Sequence, residues 1–238
     1  MTETTRPTRL RDDIRNVLTG KAAPHDESRP VVRRRRIIVG VVLVLGAATL
    51  GLSLNQEPGD ASFYWLTFLL AAIWAVGAWA SGPLHLGGVK FRGQVRRPVL
   101  TGLGLGLALG AAFVVGALIV RQIDPIAEFI TRVLVFANQG ALWLVVVITL
   151  VNGVAEELYF RGSLYTALGG HSPVLISTVM YIIATLASGN PMLGFAAIIL
   201  GTVCALERRA TGGVLAPILT HLVWGLIMVL ALPPLFGV

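Results

Sequence analysis

The sequence predicts an all-α, polytopic transmembrane helical bundle of about seven spans, and three observations predict it. Hydrophobic residues make up 55% of the 238 residues and charged residues only 13%, with a mean hydropathy of +0.78. A soluble domain carries about 25% charged residues. Uncharged apolar stretches recur along the chain, each approaching the roughly 20 residues that cross a hydrocarbon core. No water is available at that depth to satisfy backbone N–H and C=O groups, so each stretch must bond within itself as a helix. Buried helices of a soluble protein rarely stay apolar on every face for this length, which argues against a water-soluble fold.

The chain opens on charge. Residues 1–36 hold ten of the nineteen Lys and Arg, including Arg33-Arg34-Arg35-Arg36. Such a run could bind nucleic acid. Here it abuts an apolar segment, so it reads as a topology signal and an anionic-lipid contact, and no nucleic-acid partner is expected. A polar lead of this length is too long for a signal-peptide n-region, and no A-x-A site follows, so the first span reads as a retained anchor. Residues 1–36 are expected to form a basic cytoplasmic tail that is disordered, being rich in Thr, Arg, Asp and Pro up to residue 32.

Residues 37–135 then carry N-terminal spans at 37–54, 62–80 and 98–120, and residues 136–235 carry four more at 141–168, 173–188, 192–206 and 213–232. The stretch 141–168 exceeds the membrane thickness, so it must leave the bilayer or bend at Gly162. The next two are short, joined by the turn Ser188-Gly189-Asn190-Pro191, and short spans imply tilt, burial or incomplete crossing. Between spans three and four, residues 121–138 alternate charges with Ile126, Ile130, Val133 and Leu134, the pattern of an amphipathic helix on the membrane surface. Span three carries Gly102, Gly104, Gly106, Gly110 and Gly116, which permit close helix–helix approach.

Charge fixes an orientation. Lys90, Arg92, Arg96 and Arg97 follow span two, and Arg208 and Arg209 follow span six. With alternating spans these fall on the side of the basic tail. The opposite loops hold Arg121 and Arg132 against Glu57, Asp60, Asp124 and Glu128. The positive-inside rule puts the N-terminus in the cytoplasm and the C-terminus outside, in a plasma membrane of bacterial type, with the bilayer itself as a partner. Phe63, Tyr64, Trp65 and Trp143 fall where an outer aromatic belt would sit. Cys204 is the sole cysteine, so neither a disulfide nor a Cys-based zinc site can form within one chain.

The stretch that carries chemistry is Asn152-Gly153-Val154-Ala155-Glu156-Glu157-Leu158-Tyr159-Phe160-Arg161-Gly162. Ionisable groups in a membrane helix are costly and mark functional sites by default. Glu157 and Arg161 are i and i+4, so they can form an ion pair on one face. Glu156 lies about 100° round the helix, on the face of Asn152. One carboxylate can thus be held structurally while its neighbour points into a cavity and acts as base on water. The competing reading is that both glutamates mark the cytoplasmic helix end, although acidic groups there oppose the macrodipole.

Glu156-Glu157-Leu158-Tyr159-Phe160-Arg161 resembles the E-E-x-x-x-R motif of the CAAX protease and bacteriocin-processing (Abi) family, which includes the type II CAAX prenyl endopeptidases. The resemblance continues through Gly201-Thr202-Val203, through Glu207 to Gly213 and through Leu215 to His221, covering about residues 140–230. It implies that Glu156 activates the attacking water and that Glu157 and Arg161 orient the site. His221 falls where an H-x-x-x-N motif begins, and Tyr181 to Thr185 fall on F-x-x-x-H. Thr185 therefore stands in place of a histidine, and Gly225 in place of an asparagine. The first change removes a base or metal ligand. The second removes an oxyanion donor, a type of loss that costs about 10²–10³ in rate.

The resemblance also implies a divalent metal such as zinc, for which Glu156 and His221 would be the ligands. A catalytic zinc site uses about three protein ligands, and the sequence does not supply a visible third. The expected function is an intramembrane endopeptidase that cuts a membrane-associated peptide or protein near the cytoplasmic face, with catalytic residues Glu156, Glu157, Arg161 and His221, and Tyr181, Thr185 and Gly225 as accessory positions. Two alternatives remain open: a degenerate pseudoprotease acting as a membrane binding or immunity protein, favoured by Thr185 and Gly225, and a transporter-like protein, disfavoured by the absence of an internal repeat.

Overall fold

The computed structural model describes residues 20–22, 27–91, 94–139 and 141–238. Most of the tail expected to be disordered, and Arg92, lie outside the described residues. The helices are α1 (Arg29–Leu54), α2 (Ala61–Ser81), α3 (Val99–Val120), α4 (Asp124–Asn138), α5 (Leu142–Glu157), a π-helical stretch (Leu158–Leu164), α6 (Tyr165–Leu168), α7 (Pro173–Leu186), α8 (Pro191–Thr211) and α9 (Leu215–Phe236). A short antiparallel hairpin, β1 (Val89–Phe91) with β2 (Gln94–Arg96), joins α2 to α3. The all-α bundle expected from hydropathy is what forms.

Six helices among the described residues are long and apolar enough to cross a membrane, and the expected fifth span forms as α7, an apolar helix of only 14 residues. Two expectations need correction. The span expected at 192–206 is not short: α8 runs on to Thr211. Its charges do not end it because Glu207 and Arg208 are buried. The basic tail also does not extend to residue 36. Helix α1 starts at Arg29, with Pro30 in its first turn, so Arg33 to Arg36 are helical.

The arginine run is divided by helical phase. Arg35 turns inward, fully buried, donating to Glu27, to Ser81 Oγ and to Pro83 O. Arg36 Nε donates to Ala167 O at 3.0 Å, supplying a cation to the carbonyl end of α6. Arg33 and Arg34 remain exposed.

Contacts between loops define the two ends of the bundle. At the basic end, Ala22 N donates to Arg209 O, Gly88 N to Thr211 O, Val214 N to His85 O and Leu215 N to Leu86 O. At the opposite end, Asn190 Nδ2 donates to Phe129 O at 2.8 Å, tying α4 to the start of α8. The loops with Lys90, Arg96, Arg97, Arg208 and Arg209 therefore meet at one end, and those with Asp60, Asp124 and Glu128 at the other. The glycine-rich span packs where its four-residue spacing predicts. A Cβ on Gly102 would lie 2.6 Å from Ala216 O, and one on Gly106 would lie 2.9 Å from Thr220 O, so α3 and α9 touch backbone to backbone.

Candidate active site

The long helix Leu142–Leu168 changes pitch just after the two glutamates. A π-stretch rotates the following residues and frees backbone carbonyls, and such stretches recur at functional sites. Here Arg161 O accepts from Arg208 Nε at 2.8 Å, and Ser163 Oγ reaches Ala78 O at 3.2 Å. Gly162, where the sequence left a bend as one option, falls inside this stretch. Glu156 lies about 21 Å along the helix from Leu142 and about 18 Å from Leu168 at 1.5 Å per residue, so the carboxylates sit near the middle of this helical run. They do not mark a helix end.

Glu157 and Arg161 are both 0% exposed, and Arg161 Nη1 donates to Glu157 Oε1 at 2.8 Å. Arg161 Nη2 donates to Gly201 O at 3.0 Å, and its guanidinium lies 4.6 Å from the centre of the Tyr181 ring. Gly201 favours this approach, since a Cβ there would sit 3.0 Å from Tyr181 Cδ1 and the ring would have to give by a few tenths of an ångström. The same Glu157 Oε1 also meets His221 Nδ1 at 2.8 Å. Glu157 is therefore shared between Arg161 and His221, and it fixes the imidazole with its Nδ1 proton toward the carboxylate. A buried carboxylate must be paired, and two partners on different helices lock α9 to the π-stretch.

Glu156 points elsewhere. Its Oε2 accepts from the Tyr181 hydroxyl at 2.8 Å. It lines a cavity of about 290 Å³ with Ser53, Thr67, Thr149, Asn152, Trp224 and Gly225 and otherwise apolar walls. Neither Thr185 nor His221 joins Glu156 in lining this cavity; Gly225 does, and the Thr185 hydroxyl donates to its own helix at Tyr181 O. His221 is 9% exposed, packs edge-on against Trp224, and lies close enough to Glu156 to interact electrostatically.

Sequence reasoning named Tyr181 as an accessory position but not its bond to Glu156, which reaches across 25 residues and which no local spacing reveals. It missed one participant outright. Glu207, 4% exposed, lies in the same polar interior as Glu157 and Arg161. In the sequence it reads as a solvated charge at a helix end. His171 sits exposed on a turn with Nδ1 3.0 Å from Leu168 O, and His85 is held at the basic end through its carbonyl.

The residues do not fit a resident metal. Among the described residues no three His, Cys, Asp or Glu side chains converge so as to hold an ion. Glu156 carries the Tyr181 hydroxyl, and His221 has given one ring nitrogen to Glu157. A catalytic zinc site needs about three protein donors, so no chemical step is derived through a metal.

Comparison with known families matches residues 138–227 to the family described as type II CAAX prenyl endopeptidase Rce1-like. No curated protein and no solved structure matches the chain. The match covers a little over a third of the sequence, and α1 to α3 lie outside it. It contains both glutamates, Arg161, Tyr181, Thr185, His221 and Gly225, so over residues 138–227 this membrane protein is similar to the CAAX protease family.

Proposed function

We propose that the chain is an intramembrane endopeptidase in which Glu156 activates water. The carrying observation is that a buried carboxylate, oriented by the Tyr181 hydroxyl, ends a mostly apolar cavity inside the helical bundle. In the reaction, Glu156 takes a proton from water as the water oxygen attacks the scissile carbonyl carbon. The carbonyl oxygen becomes an oxyanion. Glu156 then returns the proton to the leaving nitrogen as the C–N bond breaks.

His221, oriented through Nδ1 by Glu157, has Nε2 left to donate to the oxyanion when the ring is doubly protonated. Glu157 and Arg161 are positioning residues. Their work is to hold His221 and the Tyr181 ring, and hence Glu156, in place.

A second reading is a protein that binds a membrane peptide without cutting it. It is favoured by the Thr185 hydroxyl being spent on its own backbone and by Gly225 giving the cavity no side-chain donor. The test is cleavage of membrane-inserted peptides by purified protein in defined lipid. The protease reading expects cleavage that Glu156→Gln abolishes. Peptide binding that survives Glu156→Gln, with no cleavage by either protein, supports the binder.

A further inference from the structure

The cavity that ends on Glu156 is one-sided. Its wall includes Leu54 near the end of α1, Phe63 near the start of α2, Phe136 of α4, Val145 near the start of α5, Leu193 near the start of α8 and Val229 late in α9. Helix directions alternate, yet each helix contributes the portion nearest the Asp60 and Asn190 end. Glu156 is the cavity-lining residue of α5 farthest from that end.

Toward the basic end the interior is closed. Glu157, Tyr159, Phe160, Arg161 and Thr220 are all 1% exposed or less. Beyond them the strand-like pairing of residues 85–88 with 211–215 seals the bundle through three backbone hydrogen bonds; a Cβ on Gly213 would fall 2.0 Å from Gly87 N. No side chain could enter there without moving backbone.

At the open end lies α4. Its Val133 and Leu134 face the Glu156 cavity and also a neighbouring apolar cleft of about 370 Å³. Its Asp124 and Glu128 are exposed. It is held to α8 by the Asn190 hydrogen bond to Phe129 O.

We propose that Glu156 is served only from this end: water and an extended apolar peptide segment enter beneath α4, from the face opposite the basic loops. The substrate is then a membrane peptide presented from that face, which the positive-inside rule makes the external one. The apolar walls select an uncharged segment, because an unpaired charge among them would be costly to bury. The substrate part of this inference rests on the reading of Glu156 as the base; the access route does not.

The test is sided thiol labelling in proteoliposomes. Cys204 is fully buried, so the parent protein supplies the unlabelled background. Thr149→Cys and Thr67→Cys each put a thiol on the cavity wall by a near-isosteric change, so failure of one to fold leaves the other. Glu57→Cys and Gln94→Cys report the two ends of the bundle. Both cavity thiols should react with a membrane-impermeant reagent on the side that labels Glu57→Cys, and lose all labelling when the reagent is confined to the Gln94→Cys side. Labelling from the Gln94→Cys side, or from neither side, as a cavity filled by lipid chains would give, overturns the route. Correct labelling without peptide cleavage leaves the route standing and removes the protease reading; cleavage with labelling from the wrong side does the reverse.

Discussion

Replacing Arg161 by methionine tests how the buried charges depend on one another. The change keeps an unbranched side chain but removes the cation from a position where both it and Glu157 are fully buried. It deletes the hydrogen bonds to Glu157 Oε1 and Gly201 O and the contact with the Tyr181 ring. Breaking a buried pair from one side costs about 3–5 kcal/mol, mostly the penalty of the stranded charge. The hydrogen bond and ring terms are part of that loss and do not add to it in full. Against a typical total of about 5–15 kcal/mol, the single variant should lose a large share of its stability.

Neutralising the stranded partner should recover much of the loss. Glu157→Gln with Arg161→Met removes both charges and keeps an amide oxygen for His221 Nδ1. The double-mutant cycle, read by equilibrium unfolding in mixed micelles, should give a coupling of about 2–3 kcal/mol. Arg161→Lys, which keeps the charge and loses the planar fork, should fall between wild type and Arg161→Met. A coupling under about 0.5 kcal/mol would refute the claim that Glu157 and Arg161 act as one unit.

Tyr181→Phe removes only the hydroxyl that donates to Glu156 and leaves the ring under Arg161, so cleavage should slow while the unfolding midpoint moves by no more than the about 0.5–1.5 kcal/mol of one hydrogen bond. Equal losses of stability and activity would make Tyr181 merely structural. Thr185→His with Gly225→Asn should raise the rate of cleavage, but a Cβ at position 225 meets Thr149 Cγ2 at 3.2 Å, so the gain should be larger when Thr149→Ser is added. No gain in either background would separate these positions from the reaction. Reporter fusions at Gly87, Ala127 and Val238 should read inside, outside and outside; a cytoplasmic Val238 would mean that the short α7 does not carry the chain across.

Much of the fold was legible because a bilayer makes helices obligatory, so hydropathy alone located each crossing. The Glu157–Arg161 pair was legible because it is local, fixed by four residues on one helix. What was not legible depends on partners distant in sequence. His221 goes to Glu157 and not to Glu156, and the choice is made where α9 meets the π-stretch. The end of α8 was placed too early because Glu207 and Arg208 read as solvated charges, whereas Arg208 is bonded to Arg161 O. Arg35 sat in a run that reads as surface charge until its phase on α1 is known to face Ser81 and Glu27. The direction of the cavity follows from which half of each helix lines it, and no single segment contains that information.

The central claim, that Glu156 delivers water to a peptide bond inside the bundle, is tested most directly by isotope. A membrane peptide is cleaved in water enriched in heavy oxygen, and the new C-terminal carboxylate is read by mass spectrometry for wild type and Glu156→Gln. The account predicts one heavy oxygen in the wild-type product and no product from Glu156→Gln, with the fold of that variant intact by its unfolding midpoint. Undiminished cleavage by Glu156→Gln, or a new C-terminus without the heavy oxygen, would contradict it.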